Sequence, residues 1–230
     1  MKHILFVLAI ILLLTGCASK QKQPISTTPI NPFFVLNVKD FTRSTAFIQD
    51  NDTANARNLF NAIASRGGTL RVLGVYSHSD HQNFLTLHID PLPDTIAQGN
   101  IYQRAKALAK NKKAFAAYTA KVEAQLRQYL AFVGKPRDEQ HSDWTSVLSL
   151  LQAMCNQSNF SSYKKIILIE GDLLNDPDSK EKRLQPVQLP DNTTVLVVRP
   201  AISDDSVKKL FPESDVHIFS TVEDAISVIK

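Results

Sequence analysis

Cysteine is nearly missing from this 230-residue chain, which holds only Cys17 and Cys155. So few cysteines exclude a fold held by several disulfides, and no zinc-type spacing of His and Cys occurs. Long apolar runs are missing too. The one strong run, Ile4 to Leu14, has eleven residues, against the roughly 20 that a transmembrane helix needs. No Gly-rich phosphate loop and no Gly-x-Ser-x-Gly elbow is present, and internal repeats are absent. Charge is almost balanced, at net +4. So small an excess draws a protein only weakly to anionic surfaces, and nucleic acid is not an expected partner.

What is present begins with Met1-Lys2-His3, the apolar run, and then Leu14-Thr15-Gly16-Cys17. That is a charged start, a hydrophobic stretch and a small-residue cleavage site, the layout of a signal peptide over residues 1–16. Leu14-Thr15-Gly16-Cys17 also resembles the bacterial lipobox. The resemblance implies that Cys17 becomes the new N-terminus and carries lipid, which places the chain in a bacterial cell envelope without a transmembrane helix. Each buried methylene contributes about 0.8 kcal/mol, so two or three acyl chains hold a protein on a membrane almost permanently. Ala18 resembles the sorting signal for delivery to the outer membrane. With Cys17 acylated, Cys155 has no partner for an internal disulfide. It follows Leu150, Leu151 and Met154 on an apolar helical stripe and is read as a buried, inert thiol.

Residues 17–31, rich in Lys, Gln, Ser, Thr and Pro, are read as a flexible tether. Residues 32–230 suffice for one α/β domain. Phe33 to Val38 is a continuous apolar strand of the kind covered on both faces. A helix is expected over Thr53 to Arg66, capped by Asp52 or Thr53 and ended by Gly67. Strands follow at Leu70 to Tyr76 and at Phe84 to Ile89, the latter alternating as an edge strand does. His78 and His81 between them are read as a polar hairpin tip. A long helical segment, around 99–133, carries Ile101, Ala105, Leu108, Phe115, Tyr118, Val122, Leu126 and Val133 on one face, with a break expected near Asn111. Its lysines are read as a solvated surface. Ser142 or Asp143 caps a shorter helix, and a strand from Lys165 meets an acidic tip, Glu170-Gly171-Asp172. After a polar excursion from Asn175 to Gln188 come a strand at Thr194 to Val198, a helix at Ser203 to Phe211, a strand at Val216 to Phe219 and a terminal helix capped by Thr221. The expectation is a doubly wound, mostly parallel six-stranded sheet with helices on both faces.

Ligands of such sheets bind beyond the carboxyl ends of central strands. There stand Asp40-Phe41-Thr42-Arg43-Ser44, Thr145 in the first turn of a helix, and Asp172 closing a strand. Their arrangement resembles the von Willebrand factor A domain, whose metal-ion-dependent adhesion site joins an Asp-x-Ser-x-Ser loop to a distant Thr and a further Asp. The order of elements agrees from Phe33 to Lys230. The resemblance implies that Thr42, Ser44 and Thr145 offer hydroxyls while Asp40 and Asp172 hold waters or the metal, with Glu170 an alternative to Asp172. A magnesium ion (Mg2+) prefers such hard oxygen donors and retains waters, so neutral hydroxyls leave it able to take a partner's carboxylate. The implied partner is an envelope protein or glycan. The residues alone also allow Asp40 and Ser44 to cap a turn and nothing more.

This reading describes a binding protein and not an enzyme, because Thr42 stands where a phosphatase-type motif needs a second aspartate. Two alternatives remain. One is a metal-independent structural component of an envelope or transfer assembly, and the other is a metal-dependent hydrolase built on Asp40 and Asp172.

Overall fold

In the computed structural model, residues 31–42, 53–76, 84–93, 101–134, 142–175 and 183–229 are described. Cys17, Ser44, His78, His81, Asp52 and most of the 17–31 stretch lie outside them. By its contacts the chain divides after Ile30, and all the described residues belong to the unit Asn31–Lys230.

Strand β1, Phe33–Asp40, is buried at every residue. It runs two residues past the apolar stretch, through Lys39 and Asp40. Its neighbours explain the missing alternation: β2 (Gly68–Val75) and β4 (Lys164–Glu170) both pair with it in parallel. With β3 (Phe84–Ile89), β5 (Thr193–Val198) and β6 (Asp215–Phe219), the sheet order is β3-β2-β1-β4-β5-β6. All pairings are parallel except β2 with β3, so the sheet is mixed. At this antiparallel edge Leu87 and Ile89 are buried while Phe84 and His88 are exposed, the alternation seen in the sequence.

Alternation sorts β1 side chains between two cores. Phe33 and Val35 face α1 (Thr53–Ala64), α2 (Ile101–Val133) and α5 (Val222–Ser227), through Leu59, Phe60, Ile63, Leu126, Val133 and Ile226. Phe34, Leu36 and Val38 face α3 (Trp144–Cys155) and α4 (Asp204–Leu210), through Trp144, Val147, Leu151 and Val207. Each such large side chain contributes about 1.5–3 kcal/mol on full burial. Helix starts follow the sequence signals. Asp143, Ser203 and Thr221 accept from the backbone N–H three residues on, at α3, α4 and α5. Gly67 takes φ +72° after α1, and a Cβ on Gly68 would lie 2.1 Å from the Phe33 carbonyl oxygen. Only glycine permits that approach.

Three sequence expectations are corrected. Helix α2 runs unbroken through Asn111 for 33 residues, about 50 Å at 1.5 Å per residue. Asn111 is a poor helix former but costs only a fraction of a kcal/mol, too little to break a long helix. The apolar face expected along the whole segment is buried only from the middle onward: Leu126, Tyr129, Phe132 and Val133 are in the core, whereas Tyr102, Leu108 and Phe115 are exposed. The domain is simply shorter than the helix. Finally, the polar excursion is partly core. Val187, within it, is buried in the cluster that holds Val207 and Leu210, and its N–H donates to the Leu210 carbonyl at 2.7 Å. Cys155 is 1 % exposed, as read. No helix among the described residues is long and apolar enough to cross a membrane.

Candidate functional site

Strand β1 is where the sheet turns both ways, since the chain proceeds to β2 on one side and later to β4 on the other. The carboxyl ends of such a pair flank a crevice, the switch point of an open α/β sheet. Asp40 closes β1 there. Its Oδ1 accepts from the Thr42 N–H at 2.8 Å and from Thr42 Oγ1 at 2.7 Å. Thr42 Oγ1 in turn accepts from Ser142 Oγ at 3.2 Å. A carboxylate and two hydroxyls therefore form one buried chain across the gap between β1 and α3. Asp40, Thr42 and Ser142 are 2 %, 0 % and 7 % exposed.

The start of α3 is fixed to this rim twice. The Asp143 N–H donates to the Tyr76 carbonyl beyond β2 at 3.0 Å. On the other side Asn175 accepts from the Trp144 N–H at 2.9 Å and donates to Thr145 Oγ1 at 2.8 Å. The hydroxyl of Thr145 is thus oriented by Asn175. Asp172, buried after β4, accepts the Leu174 N–H on Oδ1 at 3.0 Å and so closes a tight turn around Leu173, which sits at φ 58°. A left-handed leucine is uncommon and strained. Between these groups lies Gly171. A Cβ there would be 2.4 Å from the Trp144 ring and 3.0 Å from the Asp40 Cβ, so β1, β4 and α3 meet at this one glycine. The indole N–H of Trp144 has no acceptor among the described residues.

Of the residues singled out in the sequence, Asp40 and Thr42 are joined directly. Thr145, in the first turn of α3, and Asp172, just past β4, are each held by a separate hydrogen bond, to Asn175 and to the Leu174 N–H, and neither is hydrogen-bonded to Asp40 or Thr42. Ser44 is outside the described residues. Ser142, Asn175 and Gly171 were missed as site residues, and only Ser142 had a signal, as a helix-cap candidate. Among the described residues no three His, Cys, Asp or Glu side chains cluster as a metal cage. The donors at this rim are instead mostly hydroxyls, and an oxygen-only set with few carboxylates suits a hard cation such as magnesium that keeps part of its water.

No protein family and no curated protein matches the sequence. Among solved structures, the pilus adhesin SpaC of Lactobacillus rhamnosus GG overlays with a TM-score of 0.46 at 10% identity, covering 87% of this chain and 30% of that one. Proximal thread matrix protein 1 of the mussel byssus gives 0.44 at 7%, over 87% and 46%. The manganese-loaded TRAP protein of Plasmodium vivax gives 0.38 at 14%, over 87% and 72%. The chain spans less than half the length of the first two.

On the other face of the same strand ends lies a second polar group. Lys39 and Glu170 are register partners on β1 and β4. Lys39 Nζ donates to Glu170 Oε2 at 2.5 Å, with both side chains at most 5 % exposed. Asn37 Nδ2 donates to Glu170 Oε1 at 2.6 Å, and Tyr129 OH donates to Asn37 Oδ1 at 3.2 Å. Burial, and then the charge of Glu170, hold the Tyr129 phenol well above its usual range, so it stays a neutral donor. A cavity of about 10 Å³ beside Lys39, Asn55, Tyr129 and Glu170 has room for about one water. This corrects the alternative that Glu170 is the carboxylate of the crevice: alternation along β4 turns it to the opposite face, where Lys39 and Asn37 engage both its oxygens.

Proposed function

We propose that the chain is a lipid-anchored protein of a bacterial envelope, held through Cys17, whose von Willebrand factor A-like domain binds a macromolecular partner at the rim of β1, α3 and β4. It acts as a binding protein and not as an enzyme. The observation that supports this reading is the buried chain Asp40, Thr42, Ser142 at the switch point of the sheet.

In this reading Asp40, Thr42, Thr145 and Asp172, with Ser44, hold a divalent cation. When bound, the ion supplies an electrophilic position for a carboxylate of the partner. The rest is the work of the chain. Asp40 orients the Thr42 hydroxyl and Asn175 orients that of Thr145, so both are placed before any ligand arrives. Gly171 leaves the space in which α3 can approach β1 and β4. The tight turn at Asp172 holds that carboxylate at the end of its strand.

Calorimetric titration of the chain with magnesium tests the proposal. Binding is expected for the wild type and is lost in Asp40→Ala, with a weaker but measurable affinity in Thr42→Ser. Absence of heat in the wild type, or equal binding by wild type and Asp40→Ala, removes the metal site.

A further inference from the structure

Helix α2 carries a surface that the rim does not use. Between Ile101 and Lys121 its sequence has six Lys or Arg and no Asp or Glu. The body of the domain covers only the later turns, so Lys106, Lys110, Lys112 and Lys113 are all exposed. At 100° per residue, Tyr102, Lys106, Lys110 and Lys113 fall within an arc of about 80°, on the side away from the buried seam of Leu126 and Val133. Tyr102 is 87 % exposed. Alanines 109, 117 and 120 fill the same side and are exposed as well, so the face has low relief and fits a plane better than a groove.

We infer that this outer face of α2 docks on an anionic lipid bilayer. Lysines near a surface of anionic headgroups attract it by about a factor of five each, and a tyrosine among them sits well at headgroup level. A second copy of the chain does not fit, because it would set the same cations against each other. Lys121 is left out of the face, since it is paired with Asp90 at 2.5 Å. The inference rests on the anchored reading in one respect: the fifteen residues between Cys17 and β1 reach at most about 50 Å when extended, so a lipid on Cys17 keeps α2 within reach of the bilayer.

The test uses residues 17–230 with Cys17→Ser, which carries neither the apolar run nor an acyl group, and sedimentation with vesicles of phosphatidylcholine alone or mixed with phosphatidylglycerol. The expected result is a partition at least about a hundredfold stronger onto the anionic vesicles. Lys106→Ala/Lys110→Ala/Lys113→Ala should remove that preference, and so should high ionic strength. These positions are exposed, and an unchanged melting temperature shows that folding is intact. Equal partition onto both vesicles overturns the inference, as does an unchanged preference in the triple variant. Binding to polyglutamate but not to vesicles also overturns it, in favour of an acidic protein partner. The anchor is judged separately, by the mass of the wild-type chain from cell envelopes, so its failure and that of α2 docking are told apart.

Discussion

Replacing Glu170 by leucine should cost this domain a large part of its stability, and replacing Lys39 as well should return most of it. Lys39 and Glu170 are almost fully buried and bonded to each other, with Asn37 bonded to the second carboxylate oxygen. Glu170→Leu leaves an ammonium group in an apolar interior without its counter-charge. Breaking a buried pair from one side costs about 3–5 kcal/mol, and the stranded Asn37 amide adds to that. Domains are stable by about 5–15 kcal/mol in all, so the urea midpoint should fall by about 2 M for a slope near 2 kcal/mol/M. Lys39→Met/Glu170→Leu removes both charges at similar volume, and such exchanges are often neutral. The double variant should lie within about 2 kcal/mol of the wild type, a coupling of at least about 2 kcal/mol. The protein has a single tryptophan, Trp144, which is fully buried, so its fluorescence follows unfolding without a label. A loss below about 1 kcal/mol in Glu170→Leu, or a double variant no more stable than the single one, would refute the claim that the two charges depend on each other.

Two further outcomes follow from the packing. Gly171→Ala sets a methyl group 2.4 Å from the Trp144 ring and 3.0 Å from Asp40; overpacking of this kind costs about 1–3 kcal/mol. A blue-shift or red-shift of Trp144 emission in the folded variant should accompany the loss, whereas an unchanged spectrum and midpoint would show that the rim is loose. Burial pushes the Cys155 thiol up to about 12, against the lowering effects of Lys165 and Arg71. The folded thiol thus holds its proton more tightly than the unfolded one. Stability is unaffected below the unfolded thiol's range near pH 8.5, and falls as pH rises from there towards 12. Cys155→Ala should flatten that part of the pH profile, and iodoacetamide should label Cys155 only after unfolding.

Local signals made most of the elements legible. Continuous apolar runs at Phe33 and Lys165 marked the covered strands, and the alternation from Phe84 marked the edge. Asp143, Ser203 and Thr221 cap the helices that their positions announced. Lys39 and Glu170 were not legible as a pair, because two charges 131 positions apart look like solvent-facing strand ends until the register of β1 and β4 brings them together. Neither was the Asn175 clamp on α3, which depends on where the turn around Leu173 aims the chain. In α2 the 3.6-residue period was right, but a period says which side is apolar and not how far the body extends beneath it. At the rim, the place after β1 was enough to single out Asp40 and Thr42. Ser142 joins them only through a hydrogen bond that spans 100 positions.

Because β1 is the centre of the sheet, its two neighbours arrive at very different times. β2 follows within a few tens of residues of β1, but β4 starts more than a hundred residues after β1 ends. Closing so long a loop costs entropy before any pairing repays it, and parallel sheets of this kind assemble slowly. A ribosome that has released only the first half of this chain therefore presents a bare strand edge with no inner wall to lean on. Pairing on that side has to wait for the second half, so the centre of the sheet is among the last parts of the chain to be walled in.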